Sequence, residues 1–222
     1  MNKAWEDYLK IIYNLTVEND KEVAKINDIT TYLHLSVQSV NEMVKKLEKN
    51  NYLKFYPYKG VSLTDKGLKV AIKLVRSHRI WEVFLRDKLN FSWDEVHKHA
   101  ELLEHDSLDE LNKRLYDFLG KPNYCSHGSP IPDFNSNIPK RCNTKLSEFN
   151  VNDVIIIKRV IDNKDLLNYL DNLNIKINDE FTIINKDNFT NNITIKNDLS
   201  THIIIEKISN MIFCDKLKNN II

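Results

Sequence analysis

Apolar positions along the chain keep a helical period, broken by one short hairpin, as far as residue 119, and then change to short β-rich runs. Residues 4–18 carry Trp5, Tyr8, Leu9, Ile12 and Leu15 at i, i+3, i+4, i+7 spacing, which predicts an amphipathic helix. A short helix follows at 26–35, with Ile29, Tyr32 and Leu33 inward. Ser36 is placed to cap a second helix over 37–50, with Val40, Met43, Val44 and Leu47 inward. Two short helices across a tight turn predict a helix-turn-helix. Residues 52–56 read as a strand, 57–60 as a turn and 61–63 as a return strand, so the whole reads as a winged helix.

Thr64 is placed to cap a long helix reaching about residue 89. A further helix is predicted from Ser92, with Glu95 completing a capping box, to a stop at Leu119-Gly120-Lys-Pro122. The pair suits a dimer-forming unit, or packing within one monomer. Residues 121–141 hold four of the five prolines, Pro122, Pro130, Pro132 and Pro139, and read as an extended linker. Beyond Thr144 the β-rich runs are 154–157, 181–184, 193–195 and 202–205, with a short helix at 165–173. That pattern predicts a small all-β barrel. The expected domains are 1–64, the winged helix, 65–121, the helical pair, 122–143, the linker, and 144–222, the barrel.

Composition narrows the class. No run is long and apolar enough to span a membrane, and the first residues lack a signal-peptide layout. Three cysteines, Cys125, Cys142 and Cys214, argue against a disulfide framework and for the cytoplasm. A net charge of +1 leaves any basic patch to be local. One such patch is residues 36–59, where five lysines face two glutamates. Ser36, Gln38, Ser39, Asn41, Glu42 and Lys45 lie toward the start of the second short helix, where side chains read base edges. In the wing, Lys54, Tyr56, Tyr58 and Lys59 are placed for phosphates. Asparagine is abundant where only four glycines are present, and it can take left-handed turn positions.

The chemistry concentrates in Ser92-Trp-Asp-Glu-Val-His-Lys-His-Ala-Glu-Leu-Leu-Glu-His105. Glu101, Glu104 and His105 stand at i, i+3, i+4 on one helix face, with His97 a turn earlier. Such carboxylates and imidazoles can hold a divalent ion, though a solvated charged face has the same spacing. His78 and Glu82 form another i, i+4 pair, and Cys125-Ser-His127 sets a thiol two residues from an imidazole. A di-metal carboxylate enzyme would carry Glu-x-x-His on two helices. Here no second copy appears, so an enzyme is not expected. A winged-helix regulator answering a small organic ligand is the other alternative.

Taken in order, the segments resemble the diphtheria-toxin-repressor family, within it the manganese-responsive branch of three-domain repressors. The resemblance is carried by Glu6-Asp7-Tyr8-Leu9, Ser39-Val-Asn-Glu-Met-Val-Lys-Lys-Leu-Glu48, Tyr58-Lys-Gly-Val-Ser-Leu-Thr64, His78-Arg-Ile-Trp-Glu-Val-Phe-Leu85, Ala100-Glu-Leu-Leu-Glu-His105 and Cys125-Ser-His-Gly-Ser-Pro-Ile-Pro132. It implies a mainly α winged helix-turn-helix with a helical dimerisation domain, then a small all-β SH3-like, FeoA-type barrel. It implies a primary site of Asp7, Glu101, Glu104 and His105 with His78, and a second of Glu82, Cys125, His127 and Asp162, with His78 open to sharing. His97 falls at an ancillary position. Asp7 and Glu101 stand where the iron-responsive branch has Met and Cys, and hard oxygens there favour Mn(II) over Fe(II) or Zn(II). Lys10 replaces a carboxylate of the short manganese repressors, and Val37-Gln38 replaces a proline-containing helix start. The expected partners are operator DNA and a second copy of the chain, with no membrane and no small organic substrate.

Overall fold

The computed structural model of the chain describes residues 2–217, so the last residues of the expected 144–222 segment lie outside it. Helix α1 (Lys3–Leu15) is capped by Asn2, whose side-chain oxygen accepts from the Ala4 amide at 2.9 Å. Helices α2 (Ile26–Leu33) and α3 (Val37–Lys49) form the helix-turn-helix. Ser36 caps α3, its hydroxyl accepting from the Ser39 amide at 3.1 Å. Strands β1 (Leu53–Tyr56) and β2 (Gly60–Leu63) pair antiparallel from Leu53↔Leu63 to Tyr56↔Gly60. The winged helix is present as the hydrophobic pattern requires. Its core joins Leu9, Ile12, Ile29, Val40, Leu47, Leu53 and Val61.

Helix α4 (Asp65–Leu89) follows, with Thr64 Oγ1 accepting from the Gly67 amide at 3.1 Å. The single helix expected from Ser92 to Leu119 is two helices, α5 (Trp93–Glu104) and α6 (Asp109–Phe118). The break is made by side chains taking over backbone bonds. Ser107 Oγ donates to the Leu103 carbonyl at 2.6 Å and accepts from Trp81 Nε1 at 2.7 Å. Ser77 Oγ donates to the Glu104 carbonyl at 3.2 Å. No Gly or Pro marks the spot, so the apolar period runs through it unbroken.

The last third contains β3 (Val154–Val160), α7 (Lys164–Asn172), β4 (Glu180–Lys186), β5 (Ile193–Lys196), β6 (Thr201–Ile204), α8 (Glu206–Ser209) and β7 (Ile212–Lys216). The expected barrel is not formed. The strands make one open antiparallel sheet in the order β6-β5-β4-β3-β7. Closure would need β6 and β7 to hydrogen-bond to each other, and they stand at opposite edges. The β6 edge is instead met by a side chain, Tyr169 Oη of α7 donating to the Ile203 carbonyl at 3.3 Å. Ile155, Ile157, Phe181, Ile183 and Ile195 pack with Leu166, Leu167 and Leu170 of α7 as its core.

The chain forms two compact units that do not follow sequence order. One comprises Met1–Trp81, Glu101–Lys121 and Ile131–Ile138; the other comprises Glu82–Ala100, Pro122–Pro130 and Pro139–Ile222. The division falls inside α4, between Trp81 and Glu82. Asparagine takes the expected turn role: among the described residues, six of the eleven left-handed non-glycine positions are Asn. Gly60 has the stricter requirement. Its φ is +140°, and a Cβ there would lie 2.1 Å from the Ala24 carbonyl oxygen, beside the bridge that ties Ala24 to Val61. Gly60→Ala should therefore cost more than ~2 kcal/mol. Gly120→Ala, with positive φ but open space, should cost visibly less. Thermal melts followed by circular dichroism compare the two.

Candidate metal centre

Within the first unit, α1 and the end of α5 bring Asp7, Glu104 and His105 together, with one ligand-capable atom from each within 4.8 Å of the others. Glu104 is buried and its side chain is held by Lys10 and His78. Lys10 Nζ lies 2.9 and 2.7 Å from its two oxygens, and His78 Nδ1 lies 2.5 Å from Oε2. Burial opposes the charge on Glu104, but the hydrogen bonds and charges of His78 and Lys10 outweigh it, so its carboxyl lies below the ordinary carboxylate value. An unpaired carboxylate there would cost on the order of several kcal/mol. Asp7 behaves oppositely: burial raises it, against the pull of His105.

His105 is held at both ring nitrogens. Asp7 Oδ1 is 2.9 Å from Nε2, and Glu6 Oε2 is 2.7 Å from Nδ1. A carboxylate on the far nitrogen fixes the tautomer and aims the near one, the usual arrangement behind a metal-binding imidazole. Glu6 was not singled out as a ligand or orienter from the sequence. The only signal was its place beside Asp7 in the Glu6-Asp7 pair. The turn carrying Glu104 and His105 is fastened to α4 by the Ser77 and Trp81 hydrogen bonds, and Asn112 Nδ2 adds a bond to Ser77 Oγ at 3.0 Å. The cluster borders a cavity of about 270 Å³ lined in part by Glu6, Lys73, Glu104, His105 and Ser107. Two carboxylate oxygens and an imidazole nitrogen, with His78 adjacent, fit a divalent ion of hard preference. Glu101 is exposed and stands outside the Asp7, Glu104, His105 group.

The second unit gathers the remaining candidates. Ligand atoms of Glu82, Cys125 and His127 lie within 4.8 Å of one another, and so do those of Glu82, His97 and Asp162. His127 Nδ1 is 3.2 Å from Glu82 Oε1, and His97 Nδ1 is 2.6 Å from Asp162 Oδ2. His97 thus joins the second group and not the Glu101 stripe. The Cys125-Ser-His loop is pinned by the His127 carbonyl, which accepts from the Val160 amide of β3 at 3.0 Å. Gly128 permits the approach, since a Cβ there would meet the Lys158 carbonyl at 1.9 Å. His127 is 1 % exposed, and its Nε2 has no hydrogen-bond partner. A buried orphan nitrogen beside a thiol and carboxylates fits a bound cation. Oxygen, nitrogen and sulfur together make this the softer of the two donor sets. Burial lowers the His127 value, but Glu82 and Cys125 raise it well above the ordinary imidazole value.

Most of the helix-turn-helix positions singled out from the sequence are exposed. Ser36, Gln38, Ser39, Glu42 and Lys45 are exposed and Asn41 is half-buried. Gln38 Nε2 donates to Glu42 Oε1 at 3.3 Å. In the hairpin, Lys54 and Lys59 are exposed, and Lys54 Nζ lies 5.2 Å from the Tyr56 ring centre. Tyr58 is fully exposed at φ +63° at the tip.

A winged helix whose first helix shares a cation-ligand cluster with the helices behind it defines the class of metal-dependent DNA-binding regulators. Comparison with known families and proteins makes this specific. Residues 1–61 match the family described as iron dependent repressor, N-terminal DNA binding domain. Residues 64–133 match iron dependent repressor, metal binding and dimerisation domain, and residues 144–216 match the FeoA domain. The chain is 39% identical over 102 residues to an HTH-type transcriptional regulator, MntR, of Geobacillus kaustophilus (strain HTA426), covering 46% of this chain and 70% of that one. It is 33% identical over 121 residues to an uncharacterized HTH-type transcriptional regulator of Methanocaldococcus jannaschii, covering 54% of this chain and 96% of that one. A solved structure of the manganese regulator SloR superposes with a TM-score of 0.80 at 36% identity, over 98% of this chain and all of that one, 100%. The chain belongs to the iron-dependent repressor family, the diphtheria-toxin-repressor family of the sequence resemblance, and is a metal-dependent transcriptional repressor.

Glu104→Ala and His105→Ala should each remove Mn(II) binding at the first cluster, read by calorimetry and Mn(II) EPR. Glu6→Gln should weaken that binding about tenfold while leaving the fold intact. Ion binding at the second cluster should weaken as pH falls, and the loss should begin at a higher pH than for an ordinary imidazole ligand, because a proton on His127 excludes the ion and Glu82 and Cys125 hold that proton more tightly. Affinity unchanged as pH falls would remove His127 from the ligand set.

Proposed function

We propose that the chain is a Mn(II)-responsive repressor that binds operator DNA as a homodimer and controls metal-uptake genes in the cytoplasm. The observation that carries the reading is the all-hard donor set of Asp7, Glu104 and His105 joining α1 to the end of α5. In this reading Asp7, Glu104 and His105, with His78 beside them and Glu101 as a third carboxylate able to turn in, form the primary site. Glu82, Cys125, His127 and Asp162, with His97, form the secondary one. Residues 1–64 are the reading head, 65–121 the metal-binding and dimerising segment, and 144–222 the FeoA-type domain.

A divalent ion held at the first cluster would supply two positive charges between α1 and the end of α5, beside the Lys10–Glu104 ion pair that joins them. The residues of the chain then do the rest. Asp7 fixes α1, whose Leu9 and Ile12 pack in the same core as Val40 and Leu47 of α3. Holding α1 therefore holds the recognition helix. Two recognition helices must span successive major grooves about 34 Å apart, so restricting each one raises the share of molecules competent for DNA. The dimer is supported by Leu102, Leu108, Leu111 and Phe118, which are all exposed on α5, α6 and the turn between them. Asn41, Gln38, Ser39 and Glu42 would face base edges, and Ser36, Lys45, Lys54, Tyr58 and Lys59 the backbone.

A second reading, an Fe(II)- or Zn(II)-responsive repressor, draws on the thiol in the second cluster. Cys125 gives that group a soft ligand that the first lacks. DNA selected from a random pool by the metal-loaded protein, titrated by fluorescence anisotropy with Mn(II), Fe(II) and Zn(II) in parallel, separates the two. The first reading expects activation at the lowest free concentration relative to site affinity with Mn(II). It also expects complete loss in His105→Ala and partial loss in Cys125→Ala and Asp162→Ala. Metal-independent DNA binding, or complete loss only in the Cys125 and Asp162 variants, would overturn it.

A further inference from the structure

We infer that Lys10 is a tethered cation that occupies the metal-binding carboxylate in the metal-free protein and sets the concentration at which the divalent ion takes over. Lys10 Nζ bridges both Glu104 oxygens at 2.9 and 2.7 Å and lies 3.2 Å from His78 Nδ1. Its side chain is 12% exposed while that of Glu104 is 1% exposed, so the lysine reaches in from the rim and the carboxylate cannot reach out. Lys10 is one turn beyond Asp7 on α1, which puts the ammonium beside the candidate ligands. The inference rests on the first cluster being the sensing site.

The consequence is electrostatic. A buried carboxylate needs a positive partner, and Lys10 supplies one without any metal. An ion ligated by Glu104 would stand within a few ångströms of the ammonium, and two like charges at that range in a poorly solvated site repel strongly. Ion entry therefore requires Lys10 to give up at least one Glu104 oxygen and swing toward solvent. The lysine lowers apparent affinity for the ion, and it keeps the metal-free cluster paired in place of collapsed. A monovalent ion gains nothing by the exchange, whereas a divalent ion adds a charge, so the device also selects for divalent cations.

The test uses the full chain and Mn(II) alone. Mn(II) affinity is measured by calorimetry and EPR for wild type, His105→Ala, Lys10→Met and Lys10→Arg, with thermal melts with and without Mn(II). The expected result is an affinity at least about tenfold higher in Lys10→Met than in wild type, with Lys10→Arg near wild type. The metal-free melt of Lys10→Met should be lowered and its Mn(II)-loaded melt restored. Equal or weaker Mn(II) binding by Lys10→Met, with wild-type binding intact and His105-dependent, overturns the inference and leaves the sensing site standing. Wild-type binding that survives His105→Ala overturns the sensing-site reading itself. Should Lys10→Met not fold without metal, folding on Mn(II) addition supports the inference, and failure to fold in excess Mn(II) overturns it.

Discussion

The buried carboxylate of Glu104 is the constraint around which the first unit is arranged. It is enclosed by α1, α4 and the end of α5, and a charge in that position must be matched. The chain answers with Lys10 from α1 and His78 from α4, and it places Asp7 and His105 where a stronger cation can share the carboxylate. Every element that meets at Glu104 also carries core residues of the winged helix or fastens the turn that follows α5. What occupies the cluster thus bears on how firmly α1, and through the common core α3, is held.

The two clusters divide the chemistry by unit. The first offers oxygen and nitrogen from helices, the second adds the Cys125 thiol from a loop locked against β3 by the His127 carbonyl and the absent side chain of Gly128. Hard donors favour ions such as Mn(II), and the mixed set tolerates softer ones. Each cluster contains a group whose ionisation is displaced in the direction expected from its neighbours: Glu104 downward beside Lys10 and His78, His127 upward beside Glu82 and Cys125. These shifts arise from specific partners acting against burial, as in sites built to hold charge.

Much of the helical half was legible in the sequence because its signals are local. The 3.6-residue period, the Ser36 and Thr64 caps and the short hairpin each depend on residues within a turn or two. The break between α5 and α6 was not legible, since Trp81 and Ser77 create it from a distant helix. Nor was β7, a five-residue run behind a short helix with only three apolar residues at its start. The barrel failed for the same reason: alternation predicts strands, but closure depends on which edges find each other. At the first site, helical spacing groups Glu101 with Glu104 and His105, whereas the fold leaves Glu101, a turn earlier, exposed and outside the Asp7, Glu104, His105 group. Glu6 was missed because neighbouring helix positions point about 100° apart, and only the two-sided imidazole of His105 reaches both it and Asp7.

The most direct measurement is anomalous diffraction at the manganese edge from crystals grown with Mn(II). The account predicts an anomalous peak at bonding distance from Asp7, Glu104 and His105, with Lys10 Nζ withdrawn from at least one Glu104 oxygen. A peak confined to the Glu82, Cys125 and His127 group, with Lys10 still bridging Glu104, would contradict it.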